Sequence, residues 1–112
     1  MPWKVNFFQT QRGGYPINEF IEGQDEETVA KITSAIDLLE AGGPFLKPPY
    51  IKKLRDKLYE VRVSGKVAIR IFYTIRGNEY YLLHIFKKKS QKTPVREMKT
   101  ALDRMKELVA LR

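Results

Sequence analysis

Two arginines, Arg62 and Arg70, stand inside strand-like stretches of this 112-residue chain, where apolar or neutral side chains are usual. A run of three lysines, Lys87, Lys88 and Lys89, ends a third such stretch. Arginine binds phosphate through a two-pronged guanidinium group, and lysine binds it as a point charge. Brought together, these side chains would grip a phosphate group and stabilise negative charge that develops on it.

The elements that must position these residues are three strands predicted at 58–63, 67–75 and 79–87, each rich in β-branched and aromatic residues. The connections at 64–66 and 76–78 are short and contain glycine, which is typical of hairpin turns. The three strands are therefore predicted to be antiparallel neighbours in one sheet.

Alternation of side chains along these strands predicts that Glu60, Arg62 and Arg70 share one face of the sheet. Because arginine is seldom buried without a partner, we expect this face to be open to solvent. In an alternative interpretation, Glu60 and Arg62 pair with each other and the lysines are merely solvated. The third strand has two alternating sets that the sequence does not assign to a face: Leu83, Ile85 and Lys87, and Leu82, His84, Phe86 and Lys88.

Three helices are predicted around this sheet. A short helix begins at Pro16, which suits a first helical turn, and ends at Gly23. A longer amphipathic helix begins after Asp25, a good N-cap residue, and stops at 42–44, where two glycines precede a proline. A third amphipathic helix begins at Pro94.

The predicted element order is β-α-α-β-β-β-α, with a first strand at 3–8 and a proline-rich, then basic, connection at 44–57. This order predicts a single α+β domain over residues 1–112, with a small antiparallel-rich sheet, two N-terminal helices and a C-terminal helix. We expect the helices to lie on one face of the sheet and the other face to be open.

The charge of the chain is unevenly distributed. The net charge is +8, but residues 1–46 hold 3 Lys/Arg against 7 Asp/Glu, whereas residues 47–112 hold 18 against 6. This asymmetry favours a polyanionic partner, either nucleic acid or an acidic protein segment.

Other kinds of chemistry find little support in the sequence. His84 is the only histidine, so a ribonuclease with two catalytic histidines is impossible, and we interpret His84 as structural. The chain lacks cysteine, a metal-ligand cluster and the glycine-rich motifs that bind nucleotides, so we expect no metal and no cofactor. We see no leader and no apolar run long enough to cross a membrane, and we expect a cytoplasmic protein with no membrane partner.

These residues resemble the RelE/ParE toxin superfamily, in particular the phage-derived, HigB-like branch of type II toxin–antitoxin toxins. The matching segments are 58–62, 68–73 and 82–94, followed by a helix with Ala101 and Arg104. The likeness extends over essentially the whole chain in the order of its elements, and it implies a RelE-like fold.

The resemblance implies a ribosome-dependent mRNA endonuclease, or mRNA interferase, that works without a metal ion. In such toxins the 2′-hydroxyl of a nucleotide attacks the adjacent phosphate, which leaves a cyclic phosphate and a free 5′-hydroxyl. The implied partners are mRNA, the ribosome and a cognate helix-turn-helix antitoxin protein. Operator DNA would be bound only through that antitoxin.

The same resemblance implies roles for individual residues. Arg70 would stabilise the transition-state phosphate, and Arg62 would bind the RNA backbone or assist the base. Lys87 and Lys88 would contact the scissile or leaving-group phosphate, and Glu60 is a candidate acid or base. Further RNA-binding residues are expected in the basic half of the chain: Lys52, Lys53, Lys89 and Lys92.

One departure from the family and two competing functions remain open. Some relatives place a catalytic tyrosine after the last strand, but residues 90–94 hold none, and alternation puts Tyr73 on the core side. The chain could instead be a non-catalytic module that binds nucleic acid or protein, or a ParE-like toxin of DNA gyrase. The arginines and lysines favour the nuclease over the gyrase toxin, whereas the same cations also bind RNA without cutting it.

Overall fold

A computed structural model describes residues 3–42, 50–89, 92 and 94–110 of the chain. Within these ranges, no helix combines the length and the apolar character that crossing a membrane requires. The elements in chain order are β1 (Lys4–Phe7), α1 (Pro16–Glu22), α2 (Glu26–Gly42), β2 (Ile51–Arg55), β3 (Leu58–Val63), β4 (Ile69–Arg76), β5 (Glu79–Lys87) and α3 (Val95–Ala110).

The described strands form one mixed sheet of five strands in the order β1-β5-β4-β3-β2. β1 pairs with β5 in parallel, and the other neighbours are antiparallel. The α+β class is confirmed, but the predicted four-strand sheet is wrong because β2 was interpreted as part of a connection. Its apolar residues, Ile51 and Leu54, are three apart, and a bulge between Lys53 and Arg55 breaks the alternation that identifies a strand.

The starts of α1 and α2 agree with the local sequence signals, as predicted. Pro16 stands in the first turn of α1, and Gly23 is its C-cap. Asp25 Oδ1 accepts a hydrogen bond from the backbone N–H of Thr28 at 2.8 Å, which caps the N-terminus of α2. α2 is described as far as Gly42, and the rest of its predicted stop lies outside the described residues.

The helices cover both faces of the sheet. Phe7 lines one cavity with Ile21 of α1 and Ile36 of α2. The next residue, Phe8, contacts α3, because the guanidinium carbon of Arg104 lies 5.3 Å from the centroid of the Phe8 ring. Consecutive residues of an extended chain point to opposite faces, so α1 and α2 lie on one face and α3 lies on the other. The prediction of helices on one face only is therefore wrong.

We call the face under α1 and α2 the helical face, and the face that carries Glu60, Arg62 and Arg70 the arginine face. Tyr73 lies on the helical face, 2% exposed, with its ring 5.6 Å from that of Tyr59. Its predicted position on the core side is thus confirmed. Burial raises the pKa of the Tyr73 hydroxyl, which makes it a poor source of a catalytic base.

A bulge in β5 resolves the two alternating sets of the third predicted strand. The β4–β5 register shifts between Phe72 and Tyr73, which leaves Leu83 as the extra residue. Before the bulge, Leu82 lies opposite Tyr73 on the helical face. After it, three residues belong to the arginine face by their pairing or alternation: His84, Phe86 and Lys88.

Candidate functional site

Arg62 and Arg70 lie directly opposite each other on β3 and β4, both on the arginine face as the sequence predicted. Glu60, two residues before Arg62 on β3, lies between the two guanidinium groups. Its Oε1 atom lies 3.2 Å from Nε of Arg62 and 3.2 Å from Nε of Arg70. We call these three residues the arginine cluster.

The arginine cluster is positively charged because one carboxylate is shared by two guanidinium groups. The Glu60 side chain is 2% exposed, that of Arg70 is 14% exposed and that of Arg62 is 37% exposed. Arg62 Nε donates a hydrogen bond to Glu60, whereas the Arg70 contact is an ion pair without hydrogen-bond geometry. Arg70 Nη1 donates instead to the carbonyl oxygen of Ile69 at 3.1 Å. The cluster therefore presents excess positive charge at the surface through Arg62.

Neighbouring strands add cations beside this cluster. Lys52 of β2 pairs with Glu60 across the sheet, and it is exposed. The backbone N–H of Lys88 donates to the carbonyl oxygen of Ala68 at 2.9 Å, so the ladder continues one residue past β5. Lys88 therefore lies diagonally across from Arg70 on the same face, a separation that long side chains bridge. Lys52 was predicted to bind RNA, and Lys88 was predicted to be catalytic.

Other predicted site residues lie elsewhere. Lys87 pairs with Ile69, and Lys53 pairs with Tyr59, so both belong to the helical face by alternation. The structure does not bring Lys87 or Lys53 to the arginine cluster. Two further predicted RNA-binding residues are exposed beyond the end of β5: Lys89 and Lys92.

Sequence reasoning missed Tyr50. Its carbonyl oxygen accepts a hydrogen bond from the backbone N–H of Arg62 at 2.9 Å, which places it next to the arginine cluster. Tyr50 is 58% exposed, and together with Arg62, Arg70 and Leu38 it lines a shallow pocket of about 330 Å³. The only sequence signal was an aromatic residue next to a basic segment.

A second polar group lies on the arginine face beneath α3, and we call His84, Glu97 and Arg104 the histidine cluster. His84 Nε2 lies 2.6 Å from Glu97 Oε1, and Arg104 Nη1 donates to His84 Nδ1 at 3.4 Å and to the Leu83 carbonyl oxygen at 2.8 Å. Because arginine only donates, Nδ1 accepts and Nε2–H donates to Glu97. Burial lowers the pKa of His84, although Glu97 opposes this effect. Both ring nitrogens are engaged, which agrees with a structural histidine.

In the part of the chain that the structure describes, no group of three or more His, Asp or Glu side chains is placed to hold a metal ion. The sheet and its unbalanced arginines define a small α+β protein with a cationic strand face. Its sequence matches the family described as phage derived protein Gp49-like (DUF891) over residues 19–106, and the chain belongs to this phage-derived, toxin-like family. No curated protein matches the chain.

Proposed function

We propose that this protein is the toxin of a type II toxin–antitoxin system in the HigB-like branch of the RelE/ParE superfamily, and that it is a ribosome-dependent mRNA endonuclease. One observation carries the proposal. Arg62 and Arg70 face each other across two strands and share a single buried carboxylate, so the pair keeps positive charge for an anionic ligand. The toxin-like family of the chain supports the biological class.

The proposed reaction is cleavage of RNA by its own 2′-hydroxyl. The 2′-oxygen loses its proton and bonds to the adjacent phosphorus, and the bond from phosphorus to the 5′-oxygen breaks. The leaving oxygen takes up a proton, which gives a 2′,3′-cyclic phosphate and a 5′-hydroxyl. Negative charge grows on the phosphate oxygens in the transition state, and donors aimed at these oxygens lower the barrier without a metal ion.

The structure supports a division of labour among the cations. Arg62 is the most exposed member of the arginine cluster, so we assign it to the phosphate oxygens together with Arg70. Lys88 lies diagonally across from Arg70, so we assign it to the leaving-group side, a role that Lys87 cannot share from the helical face. Lys52 would bind a flanking phosphate.

Glu60 is better suited to positioning than to acid–base chemistry. Its Oε1 atom already contacts both guanidinium groups, and its side chain is 2% exposed. A 2′-hydroxyl cannot reach a carboxylate that is covered by its own partners. We therefore assign Glu60 to holding Arg62 and Arg70 in register, and we leave the proton transfer to another group.

The proposed setting is the cytoplasm, with mRNA on the ribosome as substrate. A cognate helix-turn-helix antitoxin protein would bind the toxin and block the arginine face, and operator DNA would be reached only through that antitoxin. These partners follow from the proposed class of toxin.

Cleavage of an mRNA bound to purified ribosomes tests the proposal. We expect fragments that end in a 2′,3′-cyclic phosphate, and a rate at least about 100-fold lower for Arg70→Ala, as for loss of one transition-state donor. Arg12→Ala, an exposed arginine in the loop between β1 and α1, is the matched control. RNA binding without cleavage would instead indicate a non-catalytic module, and growth arrest with inhibited DNA gyrase would indicate a ParE-like toxin.

A further inference from the structure

A second cationic pocket lies at the far end of β4 from the arginine cluster. Its volume is about 550 Å³, and it opens where the β4–β5 hairpin, the β2–β3 turn and α3 meet. The polar side chains that line it are those of Lys57, Thr74, Arg76 and Lys106. None of the described lining residues is acidic, so the pocket concentrates positive charge.

Four acidic residues lie close to the pocket residues in the sequence, and none of them lines the pocket: Asp56, Glu79, Asp103 and Glu107. Glu79, which pairs with Arg76 in the hairpin, accepts a hydrogen bond from Asn6 Nδ2 at 3.0 Å. Asp103, one turn before Lys106 on α3, accepts a hydrogen bond from Lys99 Nζ at 2.9 Å. Among the described residues, neither Lys57 nor Lys106 forms an ion pair within 4.0 Å. The ammonium groups of Lys57 and Lys106 are therefore not neutralised by a close ion pair, and they can bind an anionic ligand.

Arg76 is held in place by its contacts, and Lys57 has an unusual backbone conformation. Arg76 Nη1 donates to the carbonyl oxygen of Leu108 at 3.2 Å, and its guanidinium group lies 5.9 Å from the centroid of the Tyr81 ring. Lys57 has φ +62°, a left-handed conformation that favours glycine or asparagine in a tight hairpin turn. A lysine at such a position is unusual, and residues in unfavourable backbone conformations cluster at functional sites.

We propose that this pocket binds a backbone phosphate of single-stranded RNA, several nucleotides away from the phosphate bound at the arginine cluster. The inference rests on the proposed function for the identity of the polyanion. Arg70 and Arg76 lie on the same face, six residues apart on β4, which corresponds to about 20 Å at about 3.3 Å per residue. A stacked strand rises about 3.4 Å per nucleotide, so about six nucleotides span both sites.

RNAs of different length distinguish binding at one site from binding at both, because only a long RNA can reach both the arginine cluster and the pocket. Fluorescence anisotropy of labelled 12-nucleotide and 3-nucleotide RNA, titrated over a range of salt concentrations, measures affinity and the number of phosphates neutralised. For Lys57→Gln/Lys106→Gln we expect at least about 10-fold weaker binding of the 12-mer and a salt slope smaller by about 0.7, the contribution of one neutralised phosphate on a single strand. Affinity for the 3-mer should change by no more than about two-fold, because it still fits the arginine cluster.

Two further variants control for damage to the turn and for a general loss of positive charge. Lys57→Gly/Lys106→Gln removes the same charges with a residue that suits the left-handed turn, so its loss of binding cannot come from a damaged hairpin. Arg12→Gln/Lys66→Gln removes two exposed cations outside the pocket lining and should leave the salt slope of the 12-mer unchanged.

Different results would contradict the proposed phosphate site and the proposed nuclease activity. Unchanged 12-mer affinity and salt slope in both pocket variants would overturn the phosphate site, even if the wild-type protein cuts mRNA. Weaker 12-mer binding in those variants would support the site, even if no cleavage occurs. Competition by inorganic phosphate as strong as by the 12-mer would also overturn it, because the ligand would then be a free anion and not an RNA strand.

Discussion

The arginine cluster and the histidine cluster lie on the same sheet face and use the same kinds of group, yet they differ in charge balance. In the histidine cluster, the Glu97 carboxylate offsets Arg104, His84 is neutral at physiological pH, and α3 closes over the group. In the arginine cluster, one carboxylate stands between two guanidinium groups, and Arg62 reaches solvent.

The comparison teaches that charge balance and cover, more than residue type, separate a structural polar group from a binding site. A balanced group under a helix fixes the position of that helix against the sheet. An unbalanced group beside solvent retains charge for a ligand, at a cost in stability. Substitutions in either cluster should therefore lower stability, but only those in the arginine cluster should lower RNA cleavage.

The largest effect on stability is expected from Glu60→Ala. It removes the one carboxylate between two arginines, and loss of one partner from a buried ion pair costs about 3 kcal/mol. Urea unfolding followed by circular dichroism measures this change. A loss below about 1 kcal/mol would show that the two arginines do not depend on Glu60.

A double variant tests whether Glu60 and Arg70 stabilise the protein through their contact with each other. In Glu60→Ala/Arg70→Ala one guanidinium group leaves with the carboxylate, so we expect a coupling energy of about 1–2 kcal/mol between the two substitutions. The double variant should unfold at a higher urea concentration than the sum of the single variants predicts. Strict additivity would contradict the shared-carboxylate arrangement.

The histidine cluster should respond in stability but not in activity. Glu97→Gln weakens the 2.6 Å contact with His84, and we expect a loss of about 1 kcal/mol in the free energy of unfolding. The cleavage rate should not change, because α3 only braces the sheet there. Asp103→Asn, an exposed change on the same helix, is the control and should alter neither quantity. Lost cleavage in a fully folded Glu97→Gln protein would show that the histidine cluster also takes part in RNA cleavage.

The smallest expected effect is a dependence of stability on pH. Burial lowers the pKa of His84 in the folded protein below its ordinary value of 6.5, with Glu97 opposing and Arg104 assisting. The unfolded chain thus takes up a proton first, and stability is full above about pH 6.5 and falls as the pH falls through that value. Asp25 and Asp103 titrate below their ordinary range because Lys66 and Lys99 bind them, so neither disturbs this window.

His84→Gln is the matching control for the pH experiment, because it removes the only histidine of the chain. Its free energy of unfolding should be lower at pH 7.5 and nearly constant from pH 7.5 to pH 5. Equal pH slopes in the variant and the wild type would show that His84 does not carry the dependence.

Local patterns in the sequence predicted much of the fold. Strands 58–63 and 79–87 have the predicted bounds, since both are long alternating or apolar runs. The strand predicted at 67–75 begins at Ile69 and ends at Arg76. β2 was missed because it is a basic edge strand without alternation.

The side of the sheet that α3 covers could not be predicted. An apolar stripe shows that a helix is buried, but it does not show against which face. For the same reason the contact of His84 with Glu97, 13 residues later, has no local signal. The bulge at Leu83 was equally hidden, because one extra residue reverses alternation without changing composition.

The sequence predicted the arginine cluster better than the lysines around it. Alternation along β3 and β4 correctly placed Glu60, Arg62 and Arg70 on one face. Lys87 and Lys88 differ by one residue and hence point to opposite faces, which a run of lysines conceals. The two contacts of Glu60 depend on the register between strands, which the sequence does not reveal.

Induced expression in a bacterial host, with mRNA ends mapped by primer extension, tests the central assignment of the arginine cluster most directly. The wild-type protein and Glu97→Gln should arrest growth and cut mRNA at positions in register with codons. Arg70→Ala, shown to be folded by its thermal melt, should do neither. Codon-registered cuts that persist in the folded Arg70→Ala protein would contradict the account.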